Sequence, residues 1–473
     1  MRLGCSRKDA TRQLTRPYEK EHNDLIENLA EFEKQLAQGR GGVALFLQKN
    51  LPLLDDYRDA LLHACLNDLC YEPFTEEGRA AYLHELISMS GQSDFYREQI
   101  LAFLSATEPS EKNKYDLMQL MGITRRLAQG RDEEARTALY ATFQKNAAQD
   151  HLIGGDDLVF LDGVDGLLFL VDHYSDEEDG FEISSFYWKL SLIEEQKGEE
   201  ITRKELAAKC EGNSLREAWL RRLDAYREGR KPSRKNKSKY VRPTYEALKQ
   251  KIAEKGQRCH VGRLWGTHFT KKGLRQIATD LLSENDLERQ VPLLRVFDEV
   301  PFLLDPTRIF EWAKESGEVT LPATSIATAL SWASLQALGS LKSPAVRAFA
   351  LEIIEQQRGA SPAVKMLNTN YEPGDEEKIL FALERFRDLD YYHSLCLETK
   401  VFEEAHPSSL SARIMEVMYE NDPCSLCRER HVERLIELNA LPEWIREEAE
   451  FDAVEDTRKI VREVEQQSKM LAI

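Results

Sequence analysis

The chain has 473 residues, which is too long for one compact core and calls for two domains or an extended repeat array. Its 42% hydrophobic and 31% charged residues exclude wholesale disorder, and its net charge of -18 excludes nucleic-acid binding through overall charge, leaving only a local basic patch for that role. There is no run of about 18 or more apolar residues, the pattern expected of a membrane-spanning helix. The first residues, MRLGCSRKDATRQL, lack the apolar core of a secretory signal. Eight cysteines in an acidic chain of this kind are expected to be reduced thiols, and a cytoplasmic location follows as the expectation.

Apolar spacing in the N-terminal half is helical. Tyr57, Leu61, Leu62, Cys65, Leu66 and Leu69 recur at steps of three and four, as does the set Leu117, Leu120, Met121 and Leu127. Gln129–Asp132 forms a turn, with Asp132 placed to cap the next helix, which carries Ala135, Leu139 and Phe143. VALFLQ (from Val43) and DLVFLDG (from Asp157) alternate weakly and read as helical, although Gly163 and Gly166 cost a helix about 1 kcal/mol each. The acidic run from Ser175 to Gly180 lacks the alternating oxygens of a calcium loop and reads as surface.

Residues 227–243, REGRKPSRKNKSKYVRP, have no apolar period and read as a basic linker or loop. The domains predicted are therefore 1–226, a helical N-terminal domain, and 244–473, a helical repeat domain. Between residues 200 and 275 there are 22 Lys and Arg against 8 Asp and Glu, a local charge of +14 that leaves -32 on the rest. Arg230, Lys231, Arg234, Lys235, Lys237, Lys239, Lys271 and Lys272, interleaved with Tyr240 and Trp265, form a candidate surface for nucleic acid or for an acidic partner.

The repeat signal is clearest further on. In LKSPAVRAFALEII, Ser343 is suited to N-cap a helix that Pro344 opens, where its missing N–H is no loss. Val346, Phe349, Ala350, Ile353 and Ile354 form its apolar stripe, and the preceding helix supplies Leu330, Leu335 and Leu338 as a partner face. Asp305-Pro306, Ser361-Pro362 and Asp422-Pro423 repeat this punctuation, and helix pairs can be laid down roughly every 30–40 residues. The segment around Val346, Arg347 and Ala350 resembles the HEAT repeat, with weaker echoes at Asp286–Arg289 and Glu455–Arg458. That resemblance implies an all-α, HEAT-like (armadillo-like) α-solenoid of antiparallel helix pairs, with two helical segments joined by the basic linker. It also implies a scaffold or adaptor with a protein partner. A minority of such proteins contact DNA on a concave face.

Phosphate loops, dinucleotide fingerprints, nucleophile elbows and His-Glu-x-x-His helices are missing. The sharpest chemical constellation is Cys424, Cys427 and His431, at i, i+3 and i+7 after Pro423, with Cys396, His393 or His406 available to complete a set. Two thiolates and an imidazole suit Zn²⁺ in a structural role. Cys396-Leu-Glu398 upstream of Pro423-Cys424-x-x-Cys427 also resembles the zinc deaminase arrangement, in which Glu398 would shuttle protons. That arrangement needs a mixed sheet, whereas Leu410, Ile414, Val417 and Met418 between the two motifs keep a helical period.

Overall fold

The structure is a computed structural model that describes residues 26–471 except 77, 148–152, 174–179, 231–243, 257–258, 260, 262–263, 316–325, 357–359 and 388–390. The acidic run at 175–179 and the basic segment 231–243, with Lys231, Arg234, Lys235, Lys237, Lys239 and Tyr240, lie outside the described residues. The all-α expectation is met: helices dominate, and the described residues contain no strand. By internal contacts the chain divides into two compact units, Met1–Asp176 with Pro442–Ile473, and Glu177–Leu441.

The first unit contains α1 (Leu29–Gln38), α2 (Gly42–Lys49), α3 (Asp55–Leu66), α4 (Ala80–Met89), α5 (Ser93–Ala106), α6 (Lys114–Gln129), α7 (Glu133–Ala147), α8 (Gly155–Asp162) and α9 (Val164–His173). Both segments that read ambiguously are helical, Val43 in α2 and Asp157 in α8, and Gly163 makes the turn to α9 at φ 59°. Asp132 caps α7 as expected, accepting from the Ala135 amide at 3.0 Å. From α3 to α8 each helix packs on the next and on the next but one. Stacking of this kind buries faces that no single pair of helices covers, and Leu83, Ile100, Leu120 and Leu139 are buried in this way.

The chain then returns to this unit. After the second unit, which spans α10 (Gly180–Lys197) through α23 and is described below, come α24 (Glu443–Ala449) and α25 (Glu455–Leu471). Arg40, at the end of the α1 turn, forks onto Glu448 of α24 with contacts of 2.5 and 2.8 Å. The Ala453 amide donates to the Gly39 carbonyl at 2.9 Å, and Arg458 of α25 pairs with Glu85 of α4 at 2.8 Å. The sequence pattern grouped residues 442–473 with the C-terminal repeats. The contacts instead join them to α1 and α4, through charged side chains that helical periodicity does not register. Glycine is required where this segment crosses: a Cβ on Gly41 would lie 1.9 Å from the Glu448 carbonyl oxygen. Gly41→Ala is expected to destabilise the protein by about 1–3 kcal/mol, read as a lowered thermal midpoint.

The second unit contains α10, α11 (Glu199–Cys210), α12 (Ser214–Arg230), α13 (Tyr245–Lys255), α14 (Lys271–Ser283), α15 (Leu287–Arg295), α16 (Thr307–Glu315), α17 (Ile326–Leu338), α18 (Pro344–Gln356), α19 (Ala360–Thr369), α20 (Asp375–Arg385), α21 (Tyr392–Ala405), α22 (Ser411–Asn421) and α23 (Ser425–Glu437). Helix α18 begins at Pro344, with the Ser343 hydroxyl 3.3 Å from the Ala345 amide, and its whole predicted stripe is buried. Leu330, Leu335 and Leu338 of α17 are also buried, but the pairing differs from the expected one. Helix α17 packs mainly on α15 and α16, and α18 packs on α19. The reason is composition: α17, IATALSWASLQAL, is apolar or small on every side and fits between several neighbours, so its apolar residues name no single partner. Arg347 reaches from α18 to Asp375 at the start of α20, at 2.6 Å.

Candidate metal centre

Three elements of the second unit converge at the site. Helix α21 contributes His393 and Cys396 on its first turns. Helix α22 ends at Asn421, and the turn that follows carries Asp422 and Cys424. Helix α23 contributes Cys427, Arg428 and His431. Cys424 is the N-cap of α23, with extended backbone (φ -82°, ψ 119°). A capping residue stands outside the helical rows, so its side chain does not continue the face shared by Cys427 and His431.

His393, Cys424 and Cys427 each offer a ligand atom, and these atoms all lie within 4.8 Å of one another. Both cysteines are buried, and the His393 side chain is 15% exposed. His431 and Cys396, expected in the same set, are placed differently. His431 is 2% exposed and points Nε2 at the Asp422 carboxylate, 3.0 Å away, while its Nδ1 is buried without a hydrogen-bond partner. Cys396 is fully buried beside Asp422 and Tyr392. Burial, and then the Asp422 charge, push its thiol well above the ordinary range. His406 lies elsewhere, stacked on Tyr371 with ring centroids 4.0 Å apart and bonded to Asn368.

Asp422 is the centre that the sequence did not reveal. Its side chain is fully buried and accepts from His393 Nδ1 at 2.9 Å, His431 Nε2 at 3.0 Å and the Cys424 amide at 3.1 Å. Burial opposes its ionisation, but the hydrogen bonds from His393 and then His431 outweigh burial and hold the carboxyl below the usual carboxylate range. The sequence signal was Asp-Pro, which reads as a helix start; nothing local says that two histidines from different helices will converge on it. Cys427 is pushed up by its hydrogen bond to Cys424, by burial and by the Asp422 charge.

The donor chemistry fits zinc. Two thiol sulfurs and one imidazole are the ligand types Zn²⁺ prefers, and three protein ligands leave one of its four positions to another group. Asp422 supplies what such histidines need: a carboxylate that accepts the Nδ1 proton leaves the lone pair on Nε2 and fixes the ring. Glu398 stands on α21 but is not one of the three grouped residues. With no strand among the described residues, the sheet that the deaminase arrangement requires is missing there.

The basic candidates divide in two. Arg230 ends α12, and the six candidates from Lys231 to Tyr240 lie outside the described residues. Trp265 opens a short 3-10 turn, Trp265–His268, and Lys251 of α13 sits over its ring at 5.0 Å. Lys271 and Lys272 occupy the exposed first turn of α14. The Tyr245 hydroxyl meets Asp280 at 2.5 Å, tying the start of α13 to the last turns of α14. No helix among the described residues is long and apolar enough to cross a membrane. Comparison with protein-family models, curated proteins and solved structures found no match to this chain.

Proposed function

We propose that this chain is a non-catalytic interaction scaffold of HEAT-like stacked helices, with a second unit fastened by a zinc ion held by His393, Cys424 and Cys427. The observation that carries the proposal is the convergence of these three ligand atoms within 4.8 Å, beside a buried carboxylate that orients the histidine. The metal would tie α21 to the start of α23, two helices separated by α22. Packing of neighbouring and next-but-one helices on one another from α3 to α8 supports the stacked reading, as does the Arg347–Asp375 link between α18 and α20. A protein partner then follows from the broad surfaces that such stacks present. None of the seven described cysteines forms a disulfide, which suits a reducing compartment such as the cytoplasm.

Thermal unfolding with and without a strong chelator tests this reading. Zinc at about a thousand times its dissociation constant adds about 4 kcal/mol, so chelation is expected to lower the midpoint by on the order of 10 °C and added zinc to restore it. The Cys424→Ser/Cys427→Ser double variant should melt low and ignore the chelator. A wild-type midpoint indifferent to both chelator and zinc would sink the proposal.

A second reading, contact with single-stranded nucleic acid, is favoured by the Lys251–Trp265 stack. An aromatic ring flanked by lysines offers stacking and phosphate contacts together. Fluorescence anisotropy of a labelled oligonucleotide is expected to report binding that weakens as salt rises, and to lose it in Lys271→Glu/Lys272→Glu. Unchanged anisotropy at low ionic strength would end this reading.

A further inference from the structure

We infer that the first unit carries a binding site for a phosphate monoester between α4 and α6, formed by His84, Arg125 and Arg126. The two helices touch at Gly122 and Ala80, where a Cβ on the glycine would come within 2.7 Å of the Ala80 Cβ. One turn further along the same helical rows stand Arg126 on α6 and His84 on α4. The two side chains feel each other: after burial, the charge of Arg126 is the first cause that holds the His84 imidazole below its ordinary value, followed by Arg125. Burial, and then Arg125, likewise lower Arg126.

Among the described residues no carboxylate is ion-paired with Arg126, and its Nε is buried without a hydrogen-bond partner. The acids nearby are already engaged. Asp157 of α8 holds Arg125 at 2.9 Å, and burial lifts its carboxyl to about 6. Glu85 of α4 holds Arg458 of α25 at 2.8 Å. Gln129 takes a second bond from Arg125, which also lies 5.3 Å from the Phe160 ring centroid. Asp157 and Glu85 favour the Arg126 charge only through space, and burial and Arg125 outweigh them. A half-buried guanidinium without a bonded counter-charge is expensive to keep, and an anion from outside resolves it. A phosphate dianion fits best. Its oxygens match the planar fork of Arg126, and a second oxygen can accept from His84 once the imidazole takes a proton from solvent.

Isothermal titration of the full chain with inorganic phosphate, at constant ionic strength and pH 7, tests the site. Saturable binding with net proton uptake, read from two buffers of different ionisation heat, is expected. Arg126→Gln should weaken binding by about ten- to a hundredfold, and His84→Gln should reduce the proton uptake. The folded state of Arg126→Gln is expected to melt no lower than wild type without phosphate, because the variant removes an uncompensated charge. Absence of saturable heat, equal affinity in Arg126→Gln, or the same response to acetate would overturn the proposal, the last in favour of a carboxylate site.

Discussion

Replacing Glu448 by alanine is expected to destabilise the first unit by about 3–5 kcal/mol, the largest effect of any single side chain named above. Glu448 is fully buried and Arg40 is 3% exposed, and the two are joined by a two-point fork. Breaking such a pair leaves a guanidinium in the interior without its counter-charge. Glu31, 4.0 Å from Arg40, offers only a distant substitute. The consequence is also topological, because Arg40–Glu448 is one of the contacts that hold α24 and α25 on the first helices. Denaturant unfolding of Glu448→Ala, Arg40→Ala and the double variant measures this directly. The double variant should fall well short of the sum of the singles, since apolar replacement of both partners removes the stranded charge. Additive losses would mean that the pair does not couple the two segments.

Asp422→Ala is expected to have the second largest effect. It removes the acceptor for His393 Nδ1, His431 Nε2 and the Cys424 amide in one step. Each buried donor left without an acceptor costs about 1–3 kcal/mol, so a loss of at least about 3 kcal/mol is expected even without metal. Asp422→Asn is the finer probe. Its amide keeps one accepting oxygen but turns an N–H₂ toward the second histidine, leaving His393 or His431 badly oriented. Zinc affinity should fall by about 10–100-fold in Asp422→Asn, the range seen when the group behind a ligating histidine is lost. Competition against a chromogenic chelator measures the change, and undiminished affinity in Asp422→Asn would remove the carboxylate from the site.

The sequence revealed the helical class, the cap at Asp132 and the buried stripe of α18, because each depends on residues within one or two turns. Helix partners were harder to read. The apolar residues of α17 announced burial correctly, but burial on several sides does not say which helix lies on which. The return of 442–473 to the first unit rests on Arg40, Gly41, Glu448 and Arg458, polar and glycine positions that hydrophobic periodicity treats as surface or loop. At the metal centre, counting i, i+3 and i+7 placed Cys424 on one helical face with Cys427 and His431. The extended N-cap backbone at Cys424 takes it off that face, so the donor atom grouped with the two cysteines is that of His393 of α21, while His431 braces Asp422. One change of backbone conformation at a helix start thus exchanged a candidate ligand for a supporting group.

Elemental analysis of natively purified protein shows whether His393, Cys424 and Cys427 hold zinc. About one zinc per chain is expected in the wild type, with retention of that zinc in Cys396→Ser and His431→Gln and its loss in Cys424→Ser/Cys427→Ser. A wild-type protein without bound metal, or a double variant that keeps its zinc, would contradict this expectation.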